Sequence, residues 1–265
     1  MTTILQITDT HIVRPERLVS GQLDTAASLR KLVSRIKQIK PQLGSIDAVL
    51  VTGDLTDDGA PESYAHFKSL MAPLQLPLFV IPGNHDRRAP MRAAFAEHSY
   101  LPRSGKLNWQ IQLGDIDVIG LDTLIESQGG GEIDETTLVF LEQALIKGQS
   151  RPTLLALHHP PFDSGIAFMD ALGLQAHKPL AKLLQGFNAD IRIICGHIHS
   201  TMIATIGGKT ALSSPSPSSC FAYDTTPDAP VGFMDQEDGF MLHNWQNGFR
   251  SIRIPIEAGL GPNPF

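Results

Sequence analysis

Five short groups of aspartate, histidine and asparagine residues recur along the chain, and these side chains bind metal ions and transfer protons. In chain order they are Asp9-Thr10-His11, Gly53-Asp54, Gly83-Asn84-His85-Asp86, His158-His159 and Gly196-His197-Ile198-His199. In the Asp-x-His and His-x-His pairs, alternate residues of an extended backbone point the same way, so both side chains can reach one ion. The mixture of carboxylate, amide oxygen and imidazole suits zinc, iron or manganese better than calcium.

The number of these side chains predicts two ions. Seven ligands exceed what a single hard ion usually needs, and two ions that share a bridge would use all of them. Asp54 is the predicted bridge, because one carboxylate can join ions about 3.5–4 Å apart, and such a pair clamps an in-line phosphoryl displacement. His159 is an alternative to His158, which is preferred as the first residue past its strand. The predicted ligands are Asp9, His11, Asp54, Asn84, His158, His197 and His199.

Each group directly follows a short apolar, β-branched segment, and longer segments with helical spacing lie between the groups. This alternation is typical of successive β-α-β units and predicts an α/β fold. Ligands bind outside the carboxyl ends of the strands in such sheets, so the groups should converge on one site. Strands are predicted at 4–8, 47–52, 76–81, 108–113, 117–121, 153–157, 191–195, 201–206 and 210–213, and helices at 23–39, 61–71, 88–97, 135–146 and 177–184.

Two further predictions concern the end of the first helix and the C-terminal part of the chain. Pro41 is predicted to end the first helix, because proline lacks the amide hydrogen that a helix interior needs. Periodicity weakens after Pro215, although strands at 240–245 and 249–254 still flank an Asn-Gly turn and predict a final hairpin. We therefore divide the chain into a catalytic region, 1–214, and a C-terminal cap or edge hairpin, 215–265, that extends the same domain.

Composition limits the class of protein. The chain has 265 residues, 42% hydrophobic and 18% charged, as expected of a globular enzyme. The formal net charge of −6, without a long basic run, argues against nucleic-acid polymers as partners. No apolar stretch approaches the ~18–20 residues of a membrane span, and the strand-like N-terminus does not resemble a signal peptide, so we expect a cytoplasmic protein without a membrane partner. Cys195 and Cys220 are expected to be free thiols.

Together and in this order, the motifs D-x-H, G-D, G-N-H-D, a histidine after a strand, and G-H-x-H resemble the signature of the calcineurin-like metallophosphoesterases. The resemblance covers roughly residues 4–214, and the five motifs together are highly specific. It implies a four-layer α-β-β-α sandwich, the calcineurin-like metallophosphatase fold, with a small C-terminal cap or hairpin. The segments TDTH, GNHD, LHHPPF and CGHIH look most like bacterial class III cyclic nucleotide phosphodiesterases and glycerophosphodiesterases.

The resemblance also implies roles for single residues. His85 would contact the substrate phosphate and protonate the leaving group, and Asp86 would orient it. With Asn84 they form the implied catalytic set. The ions would be iron, manganese or zinc, with cobalt able to serve in vitro. By position, the first ion would be held by Asp9, His11, Asp54 and His199, and the second by Asp54, Asn84, His158 and His197.

The implied reaction is hydrolysis of a small phosphodiester, 3′,5′-cyclic AMP or a glycerophosphodiester, by a hydroxide that bridges the metals. A phosphomonoesterase or protein phosphatase is the alternative enzyme, since Arg87 and Arg88 follow the GNHD motif and could bind a more highly charged phosphate. A non-catalytic scaffold is the alternative without chemistry, although the motif residues are intact here. The sequence is also compatible with a homodimer or higher homo-oligomer.

Other polar and aromatic residues near the motifs have ordinary structural explanations. Asp57 and Asp58 could touch the site, but they also precede the helix predicted to begin at Pro61, where acidic residues are expected from the helix dipole, and we prefer that interpretation. The loop 160–170, with Phe162, Phe168 and Met169, either contacts a base or apolar leaving group or simply packs. Solvated or core roles are expected for the histidines outside the motifs, which are His66, His98, His177 and His243.

Overall fold

The computed structural model describes residues 1–175, 177–226, 228–236, 238–261 and 263. The strands in this part of the chain are β1 (Thr2–Ile7), β2 (Ala48–Thr52), β3 (Leu78–Ile81), β4 (Trp109–Leu113), β5 (Ile116–Gly120), β6 (Gly131–Glu132), β7 (Thr153–Ala156), β8 (Leu174–Gln175), β9 (Ile191–Cys195), β10 (Ile203–Ile206), β11 (Lys209–Ser213), β12 (Gly239–Trp245) and β13 (Phe249–Pro255). The helices are α1 (Thr25–Leu43), α2 (Pro61–Met71), α3 (Arg88–Ala94), α4 (Glu135–Gly148), α5 (Ala167–Asp170) and α6 (His177–Gln185).

Two mixed sheets lie at the centre of the fold. The first has the order β13-β12-β1-β2-β3, in which β1, β2 and β3 are parallel and β12 runs antiparallel to β1, with Leu5 opposite Leu242. The second has the order β10-β11-β9-β7-β5-β4, in which β11, β9, β7 and β5 are parallel. The five motif groups follow β1, β2, β3, β7 and β9, so each one leaves a parallel strand at its carboxyl end.

The layers follow from the alternation of side chains along the second sheet. In β7, Leu154 packs into a core shared with the first sheet, α1 and α2, whereas Leu155 packs into a second core with α4 and α6. Ile194 and Ile193 repeat this division in β9. Because successive side chains of a strand face opposite sides, the two sheets pack face to face with helices on both outer surfaces. The predicted four-layer α-β-β-α sandwich is confirmed.

Helix α1 shows both the strength and the limit of the sequence pattern. The carboxylate of Asp24 accepts a hydrogen bond from the amide of Ala27 at 2.8 Å and begins the helix, and the predicted apolar stripe from Leu29 to Ile36 is buried. The prediction that Pro41 ends the helix is wrong, because α1 continues to Leu43. Proline near a helix end removes one backbone hydrogen bond without interrupting the turns before it.

The remaining predicted strands and helices are present with small shifts at their ends, whereas the short elements α5, β6 and β8 had no periodic signal and were missed. The final hairpin is present as β12 and β13 and completes the first sheet through β1. Among the described helices, none is long and apolar enough to cross a membrane.

Candidate metal centre

The loops after the five parallel strands bring all seven predicted ligands into one cluster, which we call the donor cluster. The Oδ1 atom of Asn84 lies 3.0 Å from Nε2 of His158 and 3.0 Å from Nδ1 of His197. On the other side, Nε2 of His11 lies 3.2 Å from Nε2 of His199. Six of the seven side chains are buried, and Asn84 is half-buried.

Asp54 occupies the middle of the donor cluster. Its Oδ2 atom is 3.4 Å from Nε2 of His158 and 3.7 Å from Nε2 of His11. Asp9 lies beside it, with Oδ1 3.4 Å from Nε2 of His199. Asp54 therefore stands between the two sets of donors, as a bridging carboxylate must.

The backbone at the donor cluster is unusual. Five of the seven predicted ligands have left-handed backbone torsions, a region that costs most residues free energy and to which Asp, Asn and His are better suited. A Cβ atom at Gly53 would collide with the imidazole of His158, and Gly53 itself has φ +95°. Strand ends that turn this sharply bring the side chains back over the sheet edge. The five residues are Asp9 (φ 52°), His11 (φ 44°), Asp54 (φ 49°), His197 (φ 71°) and His199 (φ 49°).

A second hydrogen bond fixes the orientation of each imidazole in the cluster. His158 uses Nδ1 on the carbonyl of Thr52 at 2.8 Å, and His197 uses Nε2 on the carbonyl of Leu172 at 3.1 Å. A carbonyl oxygen only accepts, so these ring nitrogens carry a hydrogen and the opposite nitrogens face the cluster, where they can bind an ion once deprotonated.

The pair of His11 and His199 tests whether these residues fit a metal ion. Nδ1 of His11 is 3.1 Å from the Asp57 carboxylate, and Nδ1 of His199 is 3.2 Å from the carbonyl of Ser219, so both Nδ1 atoms donate. The two Nε2 atoms then face each other only 3.2 Å apart. Because both Nδ1 hydrogens are used on protein acceptors, both Nε2 atoms are the ring atoms left to bind a cation, so the donor set fits a metal ion.

The charges of the cluster lead to the same result. Burial opposes ionisation of Asp54, but His158, His85 and His11 outweigh it and hold the pKa of this carboxyl well below its usual range. Burial opposes the charged form of His158 as well, yet Asp54 raises the pKa of His158 to about 9. Burial and the neighbouring His158 lower the pKa of His197 to about 3. The site thus holds an ionised Asp54 beside a neutral His197, which is a state that binds cations, whereas His158 carries a proton that a bound cation would displace.

His159 has different contacts from His158. Its Nδ1 lies 2.8 Å from Oγ1 of Thr123, and its Nε2 lies 3.2 Å from the carbonyl of Gly129. Although its ring atoms are close enough to those of His158 and His197 to form a donor group with them, both of its nitrogens already have protein partners. The geometry favours His158, whose Nε2 faces Asn84 and Asp54.

The surroundings of His85 differ from the prediction. Its Nδ1 lies 3.0 Å from the carbonyl of Asp57 and 3.4 Å from the carboxylate of the same residue. Asp57 also contacts His11, so the interpretation of Asp57 as a helix-dipole residue is wrong. Asp58 fits that interpretation, since its carboxylate accepts from the amide of Ala60 at the start of α2.

Asp86 has a structural position. Its buried carboxylate accepts hydrogen bonds from the hydroxyl of Tyr64 at 2.9 Å and from the amides of Gly83 and Leu55 at 3.0 and 3.1 Å. Among the described residues, the ring of His85 is not one of its hydrogen-bond partners. Asp86 therefore joins the loops after β2 and β3, and the expected orientation of His85 comes from Asp57.

The histidines outside the motifs lie away from the donor cluster. His66 bonds to the carbonyl of Val13 at 2.7 Å, and His243 is buried between Gln6 and Ser251. Both cysteines are free.

A cleft of about 270 Å³ opens onto the donor cluster. Its polar side includes Asn84, His85 and Asp57. Phe168 and Met169 line the cleft, whereas Phe162, among the described residues, lines a separate hollow beside Tyr223. Val19 and Leu23 are also apolar lining residues, and the larger apolar part of the lining, which we call the apolar wall, comprises Phe168, Met169, Leu172, Phe221, Val231 and Phe233.

Known proteins resemble this chain along nearly its whole length. The protein named "Probable glycerophosphodiester phosphodiesterase GpdQ" of Arcobacter nitrofigilis is 33% identical, covering 99% of this chain and 96% of its own. The "3′,5′-cyclic adenosine monophosphate phosphodiesterase CpdA" of Pseudomonas aeruginosa is 34% identical, covering 97% and 87%. The crystal structure of a dimetal phosphatase from Danio rerio has a TM-score of 0.64 at 15% identity, covering 97% and 99%. Residues 2–201 match the family model described as calcineurin-like phosphoesterase, and the chain belongs to this family.

Proposed function

We propose that this chain is a metal-dependent phosphodiesterase that hydrolyses small diesters of the 3′,5′-cyclic AMP or glycerophosphodiester class. Relatives similar over most of the chain carry these two activities in their names. The observation that carries the proposal is the convergence of seven donor side chains into one cluster, five of which line a small cleft. Donors of this kind, held by a rigid sheet edge, are what a two-metal phosphoesterase requires.

We assign the donors to two ions that share Asp54. The short contacts divide the cluster in this way, because His11 and His199 meet on one side of Asp54, whereas Asn84 meets His158 and His197 on the other. Mixed imidazole and oxygen donors suit iron, manganese or zinc, and cobalt would serve in vitro. The first set is Asp9, His11, Asp54 and His199, and the second is Asp54, Asn84, His158 and His197.

Divalent ions held at these positions would neutralise charge on the phosphate and make water a stronger nucleophile at neutral pH. The protein itself supplies the proton for the departing oxygen. His85 is exposed at the cleft, and its Nδ1 is held by the carbonyl of Asp57. This leaves Nε2 as the ring atom that can pass a proton to the leaving group. The amide of His85 donates to Asp54 at 2.8 Å, which ties the proton donor to the donor cluster.

The cleft favours a diester over a monoester. At neutral pH a phosphate monoester carries close to two negative charges, and sites that bind it commonly use arginine or lysine. Among the described residues, none that line the cleft is lysine or arginine. Arg88 is engaged elsewhere, since its Nε and Nη2 atoms contact the Asp122 carboxylate at 2.6 and 2.8 Å. Arg87 is exposed and lies beside Gly59.

The test is hydrolysis of bis(p-nitrophenyl) phosphate and p-nitrophenyl phosphate by protein reconstituted with manganese, zinc, iron or cobalt. We expect kcat/KM for the diester to exceed that for the monoester by about tenfold or more, because the second negative charge of the monoester has no arginine or lysine to pair with in the described cleft lining. Asn84→Ala should abolish most of the activity. The exposed Asn188→Ala serves as the matched control and should retain it.

Two results would contradict the proposal. If the reconstituted protein hydrolyses neither ester and binds fewer than about one ion per chain, it is a non-catalytic scaffold that retains the motif residues. A preference for the monoester would instead indicate a phosphomonoesterase.

A further inference from the structure

The two sides of the cleft differ in chemistry at very short range. Phe221 of the apolar wall lies 4.8 Å from the imidazole of His199, measured between ring centroids. Phe168 meets Phe221 edge to face, with centroids 5.4 Å apart and ring planes at 84°. A pair of aromatic rings therefore stands directly beside the donors. A phosphate held at the donor cluster places one of its ester groups against these rings.

The apolar wall is incompletely covered by the protein. Leu172 is 42% exposed and Val231 is 78% exposed, and Phe168, Phe221 and Phe233 are each only partly buried. Apolar surface left in water is unfavourable, and a flat ring that covers it gains both burial and aromatic contact. Stacking of a nucleobase on an aromatic side chain strengthens binding by roughly ten- to a hundredfold, whatever the base.

The polar side offers little to a polyol. The Ser219 hydroxyl lies 3.1 Å from Nδ1 of His199, and the Thr25 hydroxyl donates to the carbonyl of His11 at 3.0 Å. The Ser218 hydroxyl lies 3.4 Å from that of Ser216. These three hydroxyls line the cleft and already have partners within the protein, so the hydroxyls of a glycerol group would have to compete with those partners. Ser20, which is exposed, is the further hydroxyl of the lining.

We propose that the apolar wall selects the substrate, and that the substrate is a phosphodiester with a flat aromatic ester group, such as a nucleoside, in preference to a glycerophosphodiester. This inference rests on the phosphodiesterase activity proposed above and names its substrate class. Phe168 and Phe221 are the specificity-determining residues, because Phe221 packs against His199 and Phe168 packs against Phe221.

The test compares two natural diesters, 3′,5′-cyclic AMP and glycerophosphoethanolamine, on the metal-reconstituted full chain. We expect kcat/KM to favour the cyclic nucleotide by about tenfold or more. In Phe168→Ala and Phe221→Ala, KM for the cyclic nucleotide should rise about tenfold. KM for glycerophosphoethanolamine should stay within about twofold, because its groups do not use the rings.

Matched variants separate recognition from folding. Phe162→Ala removes a ring from the same loop outside the cleft and should leave the ratio of the two substrates unchanged. Phe168→Leu keeps apolar volume but removes the aromatic face, so it folds even where alanine does not, and it should reduce the preference for the cyclic nucleotide.

Two outcomes would overturn the inference while leaving the phosphodiesterase intact. One is a wild-type chain that hydrolyses glycerophosphoethanolamine at least as well as the cyclic nucleotide. The other is a set of Phe168 and Phe221 variants that affect both substrates equally. Loss of all activity, including hydrolysis of bis(p-nitrophenyl) phosphate by the wild type, would instead contradict the proposed function.

Discussion

The donor cluster and the apolar wall line the same cleft, yet they are built in opposite ways. The donors lie at the ends of parallel strands and are almost entirely buried. The wall comes from α5, the turn that follows it and the irregular segments 221–226 and 228–233, and it is partly exposed. This difference indicates that the two regions have different roles. The rigid sheet edge positions the catalytic donors, and segments without regular structure determine which ester binds.

The donor cluster is also held more firmly than the wall. The Ser216 hydroxyl bonds to the carbonyl of Asp9 at 2.9 Å, and Asp86 ties the loops after β2 and β3 together. Left-handed torsions at residues such as Asp9 and Asp54 cost on the order of 1 kcal/mol or more each, and they persist only where surrounding contacts determine them. The buried hydrogen bonds around the cluster supply that determination.

The largest expected effect is on the bridge of the donor cluster. Asp54→Ala removes the carboxylate shared by both sets, so bound metal should fall by about one ion per chain or more and kcat/KM by roughly a thousandfold. Metal analysis and hydrolysis of bis(p-nitrophenyl) phosphate measure the two losses. Asp58→Ala is the control, because its carboxylate only accepts from Ala60. Full activity in the Asp54 variant would show that the cluster does not hold the ions.

A smaller effect is expected at His85, where the cluster meets the cleft. His85→Asn removes the proton donor, so hydrolysis of an ester with a poor alkoxide leaving group should slow about a hundredfold. Hydrolysis of bis(p-nitrophenyl) phosphate should slow less than about tenfold, because p-nitrophenolate leaves without a proton. Equal losses on both esters would mean that His85 acts on the phosphate and not on the leaving group.

Asp57 provides the matched comparison for that experiment. It contacts both His85 and His11, so Asp57→Asn should slow hydrolysis of both esters, by roughly ten- to a hundredfold, through its effect on a predicted metal ligand. The two variants therefore separate support of the cluster from proton transfer to the leaving group.

The sequence predicted the donor cluster much better than the wall, and the reason is physical. A strand followed by a polar motif is a local signal, and parallel strands necessarily bring their carboxyl ends to one sheet edge. Phe221 and Phe233 had no such signal, because they lie in a segment without periodicity whose position depends on tertiary contacts. Cys220 and Met234, paired through their backbones, close that segment into a loop.

The predictions for Asp57 and Pro41 were wrong for a different reason, because the folded structure outweighed a correct local rule. Acidic residues do favour helix starts, and Asp58 behaves so, but Asp57 turns towards two histidines from distant strands. Proline does disfavour helix interiors, yet α1 accommodates Pro41 in its last turn. In both cases the local rule applies to several neighbouring residues, and the folded structure determines which of them follows it.

The support beneath the donor cluster is a buried polar network that joins the two sheets. Gln6 donates through Nε2 to the Thr52 hydroxyl and to the carbonyl of Cys195, both at 2.9 Å. Its Oε1 lies 2.9 Å from Nε2 of His243, and Nδ1 of His243 lies 2.8 Å from the Ser251 hydroxyl. This network reaches the ends of β2 and β9, from which the Asp54 and His197 loops depart.

His243 makes the stability of this support depend on pH, and this is the smallest of the expected effects. Burial, and then the charge of Arg192, lower the pKa of His243 to about 3 in the folded chain, against about 6.5 when unfolded. The unfolded chain therefore binds the proton first, so this contribution is complete above pH 6.5 and is lost as pH falls towards 3. Between pH 7 and 5 the free energy of unfolding should fall by about 2 kcal/mol from this residue alone. Urea unfolding of wild type and His243→Gln, at fixed metal concentration, should show a shallower pH dependence in the variant, while His177→Gln, at the start of α6, should match wild type. Parallel pH profiles for all three chains would mean that folding does not lower the pKa of His243.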